Sequence, residues 1–496
     1  MAVTEYGLYV QGRWSTPASA ERFTTRNPAT GAPVGTFVSA APTHVRGAID
    51  AAQGALPAWR DTPAPVRGAV LLRTAGILRE RKEALARRVT EEMGKILAEA
   101  RGDVQESIDF VEYMAGEGRR LAGETVPSEL PSKLCFTLRE PKGVVACITP
   151  WNFPTSIPNW KIAAALVCGN TVVFKPASAT AACAAEVVRA YADAGLPPGV
   201  LNLVTGSGGV VGEALLSDPR VRAVSFTGGV ETGREVYVRA AQGLRPVHLE
   251  LGGKNPMIVM DDARAELAIE GVLFGAFGTS GQRCTATSRL ILHEPIYDGF
   301  LEHLLDRVRS LRVGDPLDPA TEMGPVAGPE QERKILEYIR IGTEEGARLL
   351  TGGHKLTGRT YDLGHFVEPT VFESRPSHRI ATEEIFGPVL SVLRARDHAD
   401  AIRNANGVDY GLSASIYTSS VELAFRAVRA LETGITYVNA PTIGAEVQLP
   451  FGGVKNTGNG GREAGSVAID EFCEIKTVVV DYSGRLQKAQ IDPPGQ

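Results

Sequence analysis

Cysteine is scarce in this chain: Cys135, Cys147, Cys168, Cys183, Cys284 and Cys473 are the only six in 496 residues. No two of them form a CxxC pair, and none stands with a histidine at zinc spacing. Neither a disulfide framework nor a metal site is therefore expected. An excess of charge is missing too. With 52 basic against 57 acidic side chains the net charge is −5, which offers a polyanion no surface to hold, so nucleic acid is not expected as a partner. No apolar run reaches the roughly 20 residues that a membrane-crossing helix needs. The opening residues MAVTEYGLYVQGRW have no basic start followed by an apolar core. These absences predict a cytoplasmic protein with no membrane association. No internal repeat and no low-complexity segment is present.

What remains is an ordinary globular composition, 43% hydrophobic and 22% charged, in a chain too long for one core, so two or three domains are expected. From residue 43 to about 123 apolar positions such as Leu71, Ala75 and Leu78 recur at helical spacing. The period then changes. Runs rich in β-branched residues (143–149, 170–175, 200–205, 221–226) alternate with helix-like segments (161–168, 181–194, 210–217, 232–242), which predicts βαβ units on a parallel sheet. A second such alternation runs from 255 to about 437. The fold class is therefore α/β, with a doubly wound parallel-sheet domain followed by a second α/β domain. Residues 134–140 and 474–482 alternate like strands but stand outside both series, and such edges often pair with another chain. The final residues, KAQIDPPGQ, read as a loose tail.

Two glycine turns join a strand to a helix. In "TGSGGVVG", 205–212, the third glycine of a G-x-G-x-x-G fingerprint would be residue 211, which is valine, so a plain turn is the better reading. In "SFTGGVETG", 225–233, Gly228 and Gly229 leave room for a phosphate at a helix N-terminus. It too departs from the fingerprint, and a strand-to-helix turn calls for glycine in any case.

Cys284 stands in "GTSGQRCTATSR", 278–289, a stretch too small, polar and turn-prone for a core cysteine, and so a place for an exposed, reactive thiol. Cys147 and Cys168, embedded in apolar runs, are core candidates. Around Cys284 a set of short motifs falls in order along the chain: "TPWNFP" at 149–154, "FKPAS" at 174–178, "FTGG" at 226–229, "LELGGKNP" at 249–256, "GQRCT" at 281–285, "EEIFGP" at 383–388 and "LPFGGVKNTG" at 449–458. In sequence, order and separation the set resembles the aldehyde dehydrogenase superfamily over almost the whole chain.

The resemblance implies oxidation of an aldehyde to the carboxylic acid with NAD or NADP. It also implies three domains: a nucleotide-binding domain from 1–122 and 142–252, a catalytic domain from 253–470, and a small β oligomerisation domain from 123–141 and 471–496, with homodimers or homotetramers expected. Hydride transfer from an aldehyde needs a tetrahedral carbon bearing an oxyanion, and a thiolate creates one covalently. On this resemblance Cys284 is the nucleophile, Asn152 and the Cys284 backbone N–H are the oxyanion donors, Glu250 is the base that activates water on the thioester, and Lys161 takes part in a proton relay. Relatives that pass the acyl group to coenzyme A typically lack a glutamate at the position of Glu250, so hydrolysis is favoured over coenzyme A acylation. A retired homologue serving as a binding protein would show decay of this set, and none has decayed.

The same resemblance places Trp151, Lys175, Ser178, Phe226, Gly228, Gly229, Leu251, Glu384 and Phe386 along the cofactor. Ser178 is a departure, because members selective for NAD usually carry glutamate there, which repels a 2′-phosphate. NADP is therefore expected to be accepted. Serine as a neutral helix-start residue is the alternative. Substrate contacts are expected from Thr155, Ser156, Ile157 and Trp160, from Arg283 and Thr285 beside the nucleophile, and from a loop holding Gly444, Ala445 and Phe451. That loop looks like those of members acting on semialdehydes with a distant carboxylate, such as 2-oxoglutarate semialdehyde, an anion that Thr285, Ser280 and nearby backbone N–H groups would bind.

Overall fold

The computed structural model describes residues 4–18 and 20–491; the last five residues of the anticipated tail lie outside this range. The fold is mixed α/β, built on two large, mainly parallel sheets.

The first sheet has seven strands, in the order Val247–Glu250, Val221–Thr227, Val144–Ile148, Thr171–Lys175, Leu201–Leu203, Leu8–Val10 and Arg13–Ser15. The first five run parallel. Val144–Ile148 and Thr171–Lys175 are buried at every position, so both faces are covered and the sequence reads VVACI and TVVFK without polar alternation. The short Leu8–Val10 and Arg13–Ser15 hairpin adds to the edge antiparallel. Three-residue strands are too short to show a period, and the sequence reading placed nothing there.

Helix Ser156–Val167 is buried along its whole length, between this sheet and helices Ala64–Glu80 and Leu97–Glu117. Burial at roughly 1.5–3 kcal/mol for each large apolar side chain makes it a fixed element. It starts five residues before the helix expected at 161–168. Pro158 falls in its first turn, where a missing N–H leaves no bond unmade, and Asp103 from the neighbouring helix accepts the N–H of Ser156 at 2.9 Å. The expected helix at 210–217 divides into a π-turn at Gly208–Gly212 and an α-helix at Glu213–Ser217.

The second sheet orders Arg348–Thr351, Thr370–Glu373, Val389–Ala395, Thr287–His293, Asn255–Val259, Ser413–Tyr417 and Ile435–Val438, with only the first pair antiparallel. A third, small sheet joins Thr125–Val126, Lys133–Pro141 and Cys473–Asp481. The two strand-like segments that stood apart in sequence thus pair with each other, from Cys473 opposite Pro141 to Asp481 opposite Lys133. Leu134, Leu138, Ile475 and Val479 on them remain exposed. Among the described residues no helix is long and apolar enough to cross a membrane.

Candidate active site

Strand order reverses between Val144–Ile148, whose successors extend the sheet one way, and Val221–Thr227, which extends it the other. A crevice opens outside the carboxyl ends of strands at such a switch point. Here it is lined by Pro150, Trp151 and Asn152 after the first strand and by Thr227, Gly228 and Gly229 after the second. Cys284, Ile157, Leu251, Glu384 and Phe386 complete a cavity of about 160 Å³. The motifs scattered over more than 230 residues of sequence therefore converge.

Cys284 lies in the loop between helix Ala265–Phe277 and strand Thr287–His293. Thr279, Ser280 and Gly281 are successively left-handed, with φ of 53°, 54° and 68°. A β-branched residue there is a true outlier, at a cost of about 1–3 kcal/mol. Glu99 secures it by accepting the Thr279 N–H with both carboxylate oxygens, at 2.8 and 3.0 Å. Ser280 donates its hydroxyl to Gly324 at 2.8 Å and to Pro325 at 3.2 Å, so it holds the loop and is not free for an anion as expected. On the following residues, Asn255 donates to the carbonyls of Cys284 and Ala286 at 2.8 and 2.9 Å. A side chain at Gly253 would lie 2.5 Å from the Cys284 carbonyl, so only glycine admits this approach.

Asn152 is buried and donates Nδ2 to the carbonyl of Gln282 at 3.1 Å, which fixes its amide beside the loop. Glu250 closes strand Val247–Glu250, and neither of its carboxylate oxygens has a hydrogen-bond partner. Burial pushes it up to about 7, against the opposing pull of His248. Burial likewise pushes the Cys284 thiol up to about 12, with the Glu250 and Glu384 carboxylates adding to the effect. At neutral pH the cysteine is thus a thiol, and Glu250 is poised between its two forms.

Lys161 is fully buried, paired with Glu463 and donating to Ser225 Oγ at 3.0 Å. His248, two residues before Glu250 and so on the same face of the strand, stands 3.5 Å from Glu250, 3.6 Å from Glu463 and 3.2 Å from Glu471. The sequence reading missed His248, although its spacing from Glu250 was visible. Glu463, Glu471 and Glu99 carried no local signal, because each reaches the site only through the tertiary fold; Asn255 stands inside the motif at 249–256 and was not singled out.

The nucleotide side is suited to a dinucleotide. Trp151 and Phe386 stand edge to face, 5.4 Å between centroids. Phe386 has φ of 61°, and Gln331 donates to its carbonyl. Glu384 accepts the N–H of Gly253 at 2.9 Å. Helix Val230–Ala241 starts at Gly229 with no side-chain cap, so its first N–H groups face the cavity unmet. A second cavity, of about 720 Å³, shares Gly229, Lys334 and Glu384 with the first and continues the groove. Lys175, at the end of its strand, gives one bond to Pro176 at 3.0 Å and keeps two N–H groups spare. Burial lowers it to about 8. Ser178 is half-buried and donates to Gly206 at 3.2 Å. Phe226 is a core residue behind the groove, whereas Leu251 packs in that core and also lines the cavity.

On the other side of the Asn152–Phe153 and Arg283–Cys284 peptides lies a larger cavity, about 830 Å³, lined by Phe153, Arg283, Phe274, Ala445, Val447 and Glu106 among others. Asn152 and Cys284 thus line the first cavity while their chain neighbours Phe153 and Arg283 line the large one. Arg283 donates Nη2 to Glu99 and Nε to Thr279, each at 3.0 Å. Of the other expected substrate contacts, Ile157 lines the nucleotide-side cavity. Trp160 and Phe451 pack edge to face in the core, 5.0 Å apart. Thr155 donates to Asp103 at 2.8 Å, and Ser156 is buried beside it. Thr285 is buried, its carbonyl accepting from Thr442. Gly444 turns the loop with φ of 113°.

A model described as the aldehyde dehydrogenase family matches residues 14–478. The alpha-ketoglutaric semialdehyde dehydrogenase of Bacillus subtilis is 43% identical over 483 residues, which cover 96% of this chain and 99% of that protein. The NADP+ succinate-semialdehyde dehydrogenase of Escherichia coli is 39% identical, over 95% of this chain and 97% of its own. Among solved structures, betaine aldehyde dehydrogenase from Staphylococcus aureus in complex with NAD+ superimposes with a TM-score of 0.95 at 35% identity, covering 97% of this chain and 95% of that one.

Proposed function

This chain belongs to the aldehyde dehydrogenase family and oxidises an aldehyde to its acid with NAD or NADP, and we propose that the aldehyde carries a remote carboxylate, as 2-oxoglutarate semialdehyde does. The observation that carries this reading is Arg283. It adjoins the nucleophile in sequence and lines the large cavity, and its Nη1 remains for a ligand while Nε and Nη2 are engaged. The Bacillus subtilis relative's name supports the same class.

The Cys284 thiol gives its proton to solvent in the cavity as Sγ attacks the aldehyde carbon. The Asn152 amide and the Cys284 N–H hold the oxyanion. NAD or NADP, when bound, would supply the hydride acceptor, and loss of hydride from the carbon would leave it as a thioester on Cys284. Glu250 then takes a proton from water, which attacks the thioester and frees the acid, while Lys161 and Glu463 exchange protons behind it. Trp151, Gly228, Gly229, Glu384 and Phe386 hold the nicotinamide half. Lys175 and Ser178 meet the adenosine ribose, where a serine admits a 2′-phosphate. In this reading residues 1–122 and 142–252 bind nucleotide and 253–470 supply the nucleophile. Segments 123–141 and 471–496 join copies into a homodimer or homotetramer, through the free edge of Cys473–Asp481. The protein works in the cytoplasm.

One observation favours a second reading: the same cavity also presents Glu99, Asp103, Glu106, Asp109, Glu270, Glu446 and, paired with Arg312, Glu322, a lining that suits a cationic aldehyde. Its negative charge is smaller than that count. Glu99 pairs with Arg283, Asp103 with Lys95 and Glu270 with Arg307, and burial pushes Glu106 up to about 8, so it is mostly neutral at pH 7. Steady-state kcat/KM for 2-oxoglutarate semialdehyde, succinic semialdehyde, betaine aldehyde and hexanal decides between them. The semialdehydes are expected to lead; betaine aldehyde in front would overturn the carboxylate reading, and hexanal in front would overturn both.

A further inference from the structure

The imidazole of His248 is enclosed by three carboxylates from three parts of the chain. Glu250 comes from its own strand. Glu463 comes from the loop after Gly461 and is itself paired with Lys161 of helix Ser156–Val167. Glu471 comes from helix Ala468–Phe472, whose carbonyl at that residue accepts Lys142 Nζ at 2.7 Å. Nε2 lies 3.5 and 3.6 Å from Glu250 and Glu463, and Nδ1 lies 3.2 Å from Glu471. Gly461 presses on the ring so closely that a side chain there would sit 2.1 Å from Nδ1. The imidazole is therefore clamped with one nitrogen toward the base and the other toward Glu471, which is 24% exposed at the side chain.

Charge counting decides the state of the ring. Ionised Glu250, Glu463 and Glu471 face the cations of Lys161 and, beside Glu471, Lys142 if the ring is neutral, three negative charges against two, and such an excess of buried negative charge is unfavourable. A proton on the ring reduces it. Glu250 has no hydrogen-bond donor of its own, so a nearby cation is what favours its ionised form over the neutral form that burial prefers.

We propose that His248, kept protonated and oriented by Glu471, is the positioning residue that holds Glu250 ionised as the base of this reaction. The role rests on the reading of Glu250 as the base. It concerns charge and not contact with substrate. It separates the two half-reactions: water activation on the thioester depends on it at every turnover below the pH where Glu250 would ionise unaided.

The test uses the full-length enzyme with succinic semialdehyde and NADP, comparing parent, His248→Gln, Glu471→Gln and Glu250→Gln. The pH profile of kcat is read together with the pre-steady-state burst of reduced nicotinamide. In His248→Gln the acidic limb of kcat is expected to move up by ~1–3 pH units, as for loss of an opposite charge at this range, with the parent rate regained on the alkaline side. Glu471→Gln should move it the same way by less, and this substitution at a partly exposed side chain serves where His248→Gln does not fold. A rate lowered equally at all pH values, or an unmoved limb in both variants, would overturn the proposal while Glu250→Gln remains stalled after its burst. A Glu250→Gln enzyme that turns over normally would instead remove the base reading itself.

Discussion

The side-chain amide of Asn152 donates to the main-chain carbonyl of Gln282 at 3.1 Å, two residues before the nucleophile. The amide is thereby locked to the strained Thr279–Gly281 turn, and a preorganised donor of this kind acts without reorganisation when charge develops. Asn152→Ala is expected to lower kcat by about 10²–10³-fold, the usual effect of losing one oxyanion donor. Steady-state kinetics beside a cofactor-binding titration check it: nucleotide affinity should be unchanged.

Glu250 titrates near 7, raised chiefly by burial, and only its ionised form takes a proton. Activity should therefore rise with pH through about 7 and fall away on the acid side as the carboxylate is protonated. Glu250→Gln should release one equivalent of reduced nicotinamide per site and then stall at the thioester. Cys284→Ala should give neither burst nor turnover, and stopped-flow absorbance distinguishes the three.

In the proposed placement of the cofactor Ser178 leaves the ribose without a repelling carboxylate, and Lys175 is lowered to about 8 by burial. NADP turnover is expected, and Ser178→Glu should cut kcat/KM for NADP by tenfold or more relative to NAD. The sign with pH follows from the lysine. Its cation is present below about 8 and lost above, so KM for NADP should climb relative to KM for NAD as pH rises past that value.

Asp103 accepts from Lys95 at 3.1 Å, from Thr155 at 2.8 Å and from the Ser156 N–H at 2.9 Å, with no exposure of either partner in the ion pair. Lys95→Met leaves that carboxylate buried without its cation, at a cost of roughly 3–5 kcal/mol. Urea unfolding should show the loss. The double variant Lys95→Met/Asp103→Leu should recover part of it and no more, since the start of helix Ser156–Val167 then lacks its acceptor.

Arg283→Leu is expected to raise KM for semialdehydes bearing a carboxylate at least tenfold and to leave that for hexanal little changed. The parent and the variant are compared on the same aldehyde panel. Equal losses on both would point to the Glu99 contact and loop geometry as the function of Arg283.

The parallel strands of the first sheet were legible because both of their faces are buried, so runs such as TVVFK carry a continuous apolar signal. Cys284 was legible as a site residue from the small polar residues around it and from the set of motifs about it, which the fold gathers at one cavity. Helix Ser156–Val167 was read short at its start because no local residue caps it, and Asp103, far away in sequence, supplies the acceptor. The second partner of each long-range contact was hidden for the same reason: Glu99 under Thr279, Asn255 under Cys284 and Glu463 beside Lys161 are ordinary polar residues until the fold delivers them. His248 is the exception, a case of two titratable residues at strand spacing that the sequence displayed and the reading passed over.

The pairing of Lys133–Pro141 with Cys473–Asp481 has a consequence in time. Lys476 and Glu140, joined across it at 2.9 Å, are 336 residues apart. A growing chain emerging from the ribosome has synthesised the strands of both large sheets before the partner of Lys133–Pro141 exists, and for that interval one long strand edge is open. Contacts of such separation form late. The third sheet is thus the last seam to close, and nascent chains halted before residue 473 carry an unfinished edge that invites capture by a chaperone or by another nascent copy.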